Sequence, residues 1–314
     1  MLMSTKSTFT PSTDIPSLKD KVILVTGGTS GLGKQSIIEL AKHGPKEIWL
    51  AARDPKKAAS AVTSIKSGLP EPVNIKTLDM DLTSLDSVKQ AAGRFLSESS
   101  RLDILLLNAG IMSVPPGLTN EDYEIQFGTN HMGHALLAKL LTPLLLKTTA
   151  LLGGSDVRVV ILTSYAHNYA PEFGIQFDTL KSRAEGMNTV ARYGQSKLAN
   201  LLWGREMARQ YPQLTVPLVH PGLVRTNLAT TMGQGSFIMR MLWWIASLVT
   251  GVDVETGALN QLWAATSPRV QSGQYYVPVG KAKDGSKYAQ DLGLGKKLWE
   301  WTERELEAYM DASA

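Results

Sequence analysis

The chain has 314 residues, of which 43% are apolar and 19% charged, with a formal net charge of +4 and no cysteine. These values are typical of a globular protein with one large domain or two small ones. The lack of cysteine excludes a disulfide framework, a thiolate nucleophile and a cysteine metal site. Because no basic run exceeds two residues, nucleic acid is not an expected partner.

The least and the most apolar stretches give expectations about targeting. Residues 1–17 are rich in Ser, Thr and Pro and lack an apolar core, so we expect a disordered tail rather than a signal peptide or a membrane anchor. The most apolar run, residues 237–249, contains Arg240 and is too short to span a bilayer. Without a transmembrane segment, we expect a cytoplasmic location.

The first predicted elements are a strand, a glycine-rich turn and a helix. Residues 21–26 form a short β-branched run, and apolar residues recur at helical spacing over residues 37–41. Glycines at 27, 31 and 33 permit a tight turn, and a helix N-terminus offers amides and a positive dipole end to a pyrophosphate. The spacing differs from G-x-G-x-x-G, but the flanking strand and helix favour nucleotide binding.

The remaining pattern alternates strands and helices. Residues 47–52 predict a second strand, and Asp54-Pro55 opens the next helix as N-cap and first-turn proline. A long helix is expected at about residues 122–147. Such alternation predicts an α/β fold with a doubly wound parallel sheet, and residues 18–314 are expected to form a single domain. Further strands are predicted at residues 73–78, 102–107, 156–163 and 214–220.

A Tyr and a Lys four residues apart form the clearest chemical pair. Tyr193 and Lys197 lie in an amphipathic pattern that predicts a helix over about residues 190–210, so both side chains share one face. An ammonium beside a phenol favours the phenolate, so we expect a Tyr193 pKa below its ordinary value of about 10. A phenol of this kind can carry out acid/base work on an alcohol or ketone.

Five short motifs occur in one order along the chain: Thr26-Gly27-x-x-x-Gly31-x-Gly33, Asn108-Ala109-Gly110, Ser164, Tyr193-x-x-x-Lys197 and Pro221-Gly222. Together they resemble the short-chain dehydrogenase/reductase family over about residues 21–265. Residues 130–134, 196–200 and 220–226 resemble its retinol-dehydrogenase and WW-domain-oxidoreductase branch, without the membrane anchor or WW modules. The resemblance implies a Rossmann-type fold with an apolar substrate lid.

The resemblance also implies four catalytic residues. Tyr193 would exchange a proton with the substrate oxygen, and Ser164 would hydrogen-bond the substrate carbonyl. Lys197 would hold the nicotinamide ribose and depress the Tyr193 pKa. Asn130 would connect Lys197 to a chain of water molecules.

The end of the second predicted strand indicates the cofactor. Acidic residues there hold ribose hydroxyls, whereas an Arg accommodates a 2′-phosphate, so Arg53 favours NADP(H). Asp54 could instead reach the ribose, although a helix cap is its simpler role. The resemblance assigns the adenine to Asp81, with Asp79 as a substitute. The expected cofactor contacts are Gly27, Thr29, Ser30, Gly31, Leu32, Gly33, Arg53, Asp81, Leu82, Asn108, Ala109, Gly110, Tyr193, Lys197, Pro221, Gly222, Val224 and Thr226.

Three histidines near these motifs have simpler interpretations than catalysis. His131 and His134 lie three apart on the long predicted helix, with no further ligand at suitable spacing, so structural roles are expected and no metal site is predicted. His167 follows Ser164, but a G-x-S-x-G motif is missing, so a Ser–His nucleophilic pair is not inferred. His167 is expected either to line the pocket or to pack.

The sequence therefore predicts an NADP(H)-dependent oxidoreductase acting on a bulky hydrophobic ketone, aldehyde or alcohol. The substrate class depends on residues 237–249, including Trp243 and Trp244, which could form a lid, a core helix or a contact surface. The alternatives are a double-bond reductase, epimerase or dehydratase on the same scaffold, and a non-catalytic NADP(H)-binding regulator. The family often forms homodimers through the two long helices, although this branch includes monomers.

Overall fold

A computed structural model describes residues 9–151, 156–222, 224 and 252–310. Within these residues one sheet has the strand order β3-β2-β1-β4-β5-β6-β7-β8. Strands β1 to β7 pair in parallel and β8 pairs antiparallel with β7, which confirms the doubly wound prediction. The strands are β1 (Val22–Thr26), β2 (Glu47–Ala52), β3 (Ile75–Asp79), β4 (Ile104–Leu107), β5 (Arg158–Leu162), β6 (Leu218–Val219), β7 (Tyr275–Tyr276) and β8 (Ala282–Lys283).

Helices cover both faces of the sheet. Helices α4, α6, α7 and α9 enclose one apolar core, and α2, α3 and α8 enclose the other. Alternate residues of β1 belong to opposite cores: Ile23 packs with the second group and Leu24 with the first. Burial on both faces explains why the central strands are continuously apolar. The helices are α1 (Pro11–Asp14), α2 (Gly31–Ala41), α3 (Pro55–Ser67), α4 (Leu85–Glu98), α5 (Ile125–Phe127), α6 (Gly133–Leu151), α7 (Thr189–Gln210), α8 (Val254–Thr266) and α9 (Leu292–Leu306).

The N-terminal segment is more ordered than its composition suggests. Residues 9–17 were expected to belong to a disordered tail, but they include helix α1, and Phe9 and Ile15 are buried. Both side chains pack into the core beneath α2, α3 and α8. The expectation is wrong for these nine residues, because two well-placed apolar side chains anchor a polar segment. The rest of the predicted tail lies outside the described residues.

The long predicted helix contains an irregular turn. It begins with α5, passes through a π-helical turn at Gly128–Met132 and continues as α6 to Leu151. A π-turn inserts one extra residue per turn and is frequent at functional sites. Asn130, one of the expected catalytic residues, lies in the middle of this turn.

The C-terminal helix α9 packs along α7 and also contacts α6. Lys139 of α6 pairs with Glu303 of α9 at 2.7 Å. Trp203 of α7 stacks on Trp299 of α9 with ring centroids 5.9 Å apart. These two helices are the ones through which pairing of two chains was expected, and α9 of the same chain contacts both. In the described part of the chain, no helix is long and apolar enough to cross a membrane.

Buried histidines should make the fold sensitive to acid. Burial lowers the pKa of His131 and of His134 to about 3. Because each titrates near ~6.5 in the unfolded chain, the unfolded state binds more protons as the pH falls below that value. We expect each histidine to lower the free energy of unfolding by about 1.4 kcal/mol per pH unit between pH ~6.5 and ~4. Urea denaturation from pH 7.5 to pH 4.5 measures this slope.

The matched variant is His131→Gln, whose amide can still reach the Thr302 hydroxyl that lies 3.1 Å from His131 Nε2. Its slope should be smaller by one histidine's share, whatever its stability at neutral pH. Equal slopes in the parent and the variant would contradict a neutral, buried His131.

Candidate active site

The glycine-rich turn between β1 and α2 forms a cradle that only glycine can build. Gly27 has φ +70°, which is unfavourable for other residues. A Cβ on Gly33 would overlap the Gly27 carbonyl oxygen and lie 2.6 Å from the Asn108 amide nitrogen. Helix α2 begins at Gly31, and the side chain of its N-cap Ser30 makes no capping hydrogen bond. These features fit a pyrophosphate at the N-terminus of α2.

The hydroxyl of Thr26 joins this cradle to the neighbouring strand β4. Thr26 Oγ1 accepts the backbone N–H groups of Asn108 and Ala109, both at 2.9 Å. Its third partner is His134 Nε2 at 2.9 Å. Because His134 Nδ1 lies 3.1 Å from the Asn130 carbonyl oxygen and must donate to it, Nε2 accepts the Thr26 proton. His134 thus has a structural role that ties β1 to the π-turn.

Asn130 is held by the segment after Asn108-Ala109-Gly110. Its Oδ1 accepts the Ile111 N–H at 2.8 Å, and its Nδ2 donates to the Ile111 carbonyl and to Ser196 Oγ, both at 2.9 Å. A Cβ on Gly110 would lie 3.1 Å from Asn130 Oδ1 and 3.5 Å from Lys197 Nζ. Gly110 therefore lets the loop approach both side chains. The expected water chain between Asn130 and Lys197 stays a prediction.

Lys197 is buried beneath the same loop. Its Nζ donates to the Leu162 carbonyl oxygen at 3.1 Å and lies 5.8 Å from the centroid of the Tyr193 ring. Burial lowers the Lys197 pKa to about 8, because the ammonium loses hydration. The side chain therefore remains mostly charged at neutral pH.

The pKa of the Tyr193 phenol is shifted in the opposite direction from the one predicted. Burial raises the Tyr193 pKa to about 12, although a hydrogen bond with Ser164 acts to lower it. The expected depression by Lys197 is not found, because desolvation of the phenolate dominates and the Lys197 ammonium is directed at the Leu162 carbonyl. Tyr193 is therefore a neutral phenol at pH 7.

Ser164 lies two residues beyond the end of β5 and caps the 3₁₀ turn Tyr165–Tyr169. Its Oγ accepts the Ala166 N–H at 3.1 Å. Helix α7 packs closely on this turn at Gly194, where a Cβ would lie 2.7 Å from the Ala166 carbonyl oxygen. The glycine therefore lets α7 bring Tyr193 to Ser164. Sequence reasoning missed Gly194, although a glycine directly after the tyrosine was a visible signal.

Arg53 lies exposed directly after β2. Among the residues that the structure describes, it forms no hydrogen bond or ion pair. The neighbouring Asp54 is occupied as the N-cap of α3, since its Oδ1 accepts the N–H groups of Lys56 and Lys57 at 3.0 and 3.1 Å. The cap interpretation of Asp54 is confirmed, and Arg53 is the cation that directly follows β2.

Asp81 and Leu82, expected at the adenine, follow β3. Asp81 Oδ1 accepts both the N–H and the hydroxyl of Thr83, at 2.9 and 2.8 Å. Leu82 is buried against α6, where a Cβ on Gly133 would lie 2.7 Å from the Leu82 carbonyl oxygen. These contacts fix the loop after β3 at the same edge of the sheet as the glycine turn after β1. Asp79 ends β3 and is exposed.

The last cofactor motif follows β6. Gly222 has φ +89°, and Val224 forms a parallel bridge with Val252. Helix α8 brings Val224 towards the glycine turn at Gly257, where a Cβ would lie 2.5 Å from Val224 and 3.0 Å from Leu32. Thr29 lies in the turn before α2, and Pro221 follows β6. Thr226, the possible lid at residues 237–249, and Trp243 and Trp244 within it lie outside the described residues.

Comparisons with known proteins agree with this architecture. The family described as short chain dehydrogenase matches residues 21–236. The short-chain dehydrogenase/reductase drtF of Aspergillus calidoustus is 38% identical over 306 residues, covering 93% of this chain and 95% of its own. Human retinol dehydrogenase 14 is 35% identical over 302 residues, covering 90% and 85%. The crystal structure of an uncharacterized protein from Mycobacterium paratuberculosis, 30% identical, covers 95% and 97% with a TM-score of 0.71.

The fold and the comparisons define an oxidoreductase that uses a nicotinamide cofactor. The chain belongs to the short-chain dehydrogenase/reductase family, and its similarity to retinol dehydrogenases places it in that branch.

Gly194→Ala should separate the two halves of the site. The added Cβ would meet the Ala166 carbonyl oxygen at 2.7 Å and the Ala170 backbone nitrogen at 2.8 Å, and backbone atoms cannot rotate away. A displacement of about 1 Å between reacting groups can cost ~100-fold in rate, so we expect the turnover number to fall at least ~10-fold. Steady-state kinetics at saturating cofactor measures the loss.

The matched control is Gly93→Ala on α4, where a Cβ has nothing within 4 Å. There the replacement should raise stability by about 0.5–1 kcal/mol and leave turnover unchanged. Full turnover in Gly194→Ala would mean that this contact does not set the site.

Proposed function

We propose that the protein is an NADP(H)-dependent oxidoreductase that transfers a hydride between nicotinamide and a bulky hydrophobic ketone, aldehyde or alcohol. One observation carries this proposal: Ser164, Tyr193 and Lys197 converge near the carboxyl ends of the central strands, on the same edge of the sheet as the glycine cradle. Ligands of open α/β sheets bind at that edge, where the strand order reverses between β1 and β4.

A nicotinamide cofactor would supply or accept the hydride. The Ser164 hydroxyl and the Tyr193 phenol would both donate hydrogen bonds to the substrate oxygen, which orients the carbonyl and stabilises charge that develops on it. With a pKa of about 12, Tyr193 holds its proton at neutral pH and is ready to donate it during reduction. Lys197 would stabilise the phenolate that remains and would hold the nicotinamide ribose. Asn130 would connect Lys197 to a chain of water molecules.

The surroundings of Ser164 support a hydrophobic substrate. Tyr165 and Tyr169, on the turn that follows Ser164, are 53% and 57% exposed. Their rings are T-shaped with centroids 6.2 Å apart. Exposed aromatic rings beside a hydrogen-bonding group offer an apolar surface with one polar end, which suits a large apolar carbonyl compound better than a sugar.

Arg53 supports NADP(H) as the cofactor, because an exposed guanidinium that has no partner among the described residues is suited to a 2′-phosphate. A charge-assisted contact contributes about 1.5–3 kcal/mol, so NADPH should bind at least ~10-fold more tightly than NADH. Arg53→Ala should narrow this gap by weakening NADPH while leaving NADH binding nearly unchanged. Titration of cofactor fluorescence measures both dissociation constants.

Lys46→Ala is the control for net charge, since Lys46 is exposed and precedes the opposite end of the same strand. It should leave the ratio of the two dissociation constants as in the parent. Equal affinity of the parent for NADPH and NADH would sink the NADP(H) assignment.

Tyr193→Phe keeps the ring and removes the proton donor. Because general acid catalysis contributes about 100- to 10,000-fold, turnover should fall at least ~100-fold while NADPH binding survives. Ser164→Ala should cost ~100-fold through the loss of one donor to the substrate oxygen. Lys197→Ala should weaken cofactor binding as well as turnover. A panel of ketones, aldehydes and alcohols, followed at the nicotinamide absorbance, measures these effects.

Tyr169→Phe is the matched control, since it removes an exposed hydroxyl from the turn after Ser164. It should leave turnover within about twofold of the parent. Near-normal carbonyl reduction by Tyr193→Phe would reject the acid/base role and favour a double-bond reductase. NADPH binding without turnover on any tested substrate would favour a regulatory protein.

A further inference from the structure

His167 is a buried histidine on the turn after Ser164, and both of its ring nitrogens have backbone partners. Nδ1 lies 2.6 Å from the Ser164 carbonyl oxygen, and Nε2 accepts the Ser286 N–H at 3.0 Å. Since a backbone N–H can only donate, Nε2 carries no proton and Nδ1 must donate to Ser164. The two bonds therefore define one neutral tautomer.

We propose that His167 is a positioning residue for Ser164, because its ring fixes the Ser164 backbone to residues 284–289, which we name the C-terminal brace. This inference rests on the function proposed above, in which the Ser164 hydroxyl contacts the substrate oxygen. His167 itself is buried, and each of its two ring nitrogens is hydrogen-bonded to the main chain.

The C-terminal brace is in turn attached to the helix that carries Tyr193. The Arg205 guanidinium on α7 donates to the Asp284 carbonyl oxygen at 2.9 Å and also to the Ala289 carbonyl oxygen. A closed chain of contacts thus runs from α7 through Arg205 to the brace, from the brace to His167, and from His167 to Ser164. This chain of contacts fixes Ser164 relative to Tyr193 of α7, in addition to the direct packing of α7 on the turn after Ser164.

The close contact between the brace and the imidazole depends on a glycine. Gly285 has φ +81°, and a Cβ there would lie 3.2 Å from His167 Nε2. Glycine therefore allows the brace to adopt its turn and to bring the next N–H to the ring. Because the Ser286 N–H donates, the brace needs an acceptor atom at this position.

Aromatic rings fix the plane of the imidazole. Tyr275 lies edge-on to His167 with ring centroids 5.3 Å apart, and Tyr165 does so at 6.5 Å. Burial and the nearby Arg205 lower the His167 pKa, while its bond to the Ser164 carbonyl acts to raise it. His220 also interacts electrostatically with His167. A neutral ring held in one plane is what both hydrogen bonds require.

Two isosteric replacements separate the two bonds. In His167→Gln, the amide reaches the place of Nε2 and can accept the Ser286 N–H, but the donor to the Ser164 carbonyl is lost. In His167→Asn, the amide nitrogen occupies the place of Nδ1 and keeps the donor to Ser164. We expect His167→Gln to lower the turnover number at least ~10-fold, with NADPH affinity unchanged, and His167→Asn to lower it less.

The decisive measurement places His167→Gln in a Ser164→Ala background. If the ring acts by positioning the Ser164 hydroxyl, adding His167→Gln should change turnover by less than about twofold, because Ser164→Ala has already removed that hydroxyl. Ser286→Ala is the control: it removes a hydroxyl that accepts the Ala289 N–H at 3.3 Å but keeps the N–H that bonds His167. It should turn over like the parent.

The outcomes that overturn the proposal are distinct from failure of the proposed function. Equal losses from His167→Gln in both backgrounds would make His167 merely structural. A loss in His167→Asn as large as that in His167→Gln would show that the bond to Ser164 is not the relevant one. Full turnover in Ser164→Ala alone would instead reject the role of Ser164 in the proposed function.

Discussion

The site depends on places where a glycine lets another part of the chain approach the main chain closely. Gly33 lies against the Gly27 carbonyl, Gly110 against Asn130 and Lys197, and Gly194 against the turn after Ser164. Because a glycine adds no side chain at these points, packing there is dense, and the positions of strands and helices directly determine where the polar groups lie. The geometry of the candidate site is therefore set mainly by the sheet and its helices.

Burial acts on the Tyr193–Lys197 pair in opposite directions. It raises the phenol pKa to about 12 and lowers the ammonium pKa to about 8, since both charged forms lose hydration. A phenol of this kind suits proton donation, and the Lys197 ammonium, which has one backbone partner among the described residues, retains donors for a ribose. Burial thus favours the protonated phenol that the proposed reduction requires, whereas the sequence pattern suggested a phenolate.

The sheet and much of the site could be predicted because their signals are local. Apolar runs identify parallel strands, Asp54-Pro55 identifies a helix start, and the carboxyl ends of parallel strands meet at one edge. Other features depend on information that the sequence does not state locally. The π-turn around Asn130 keeps an ordinary apolar pattern, and the direction of the Tyr193 pKa depends on how deeply a phenol is buried. The anchoring of Phe9 depends on a cavity that several distant helices enclose.

Helix α9 has a consequence for how copies of the chain can meet. With Trp299 stacked on Trp203 and Glu303 paired with Lys139, the two long helices already have a partner within one polypeptide. A second copy could reach the part of α7 that lies under α9 only by displacing α9 and exposing large aromatic rings to water. The surface that α9 covers is thus buried within a single copy of the chain, and its packing needs no second subunit.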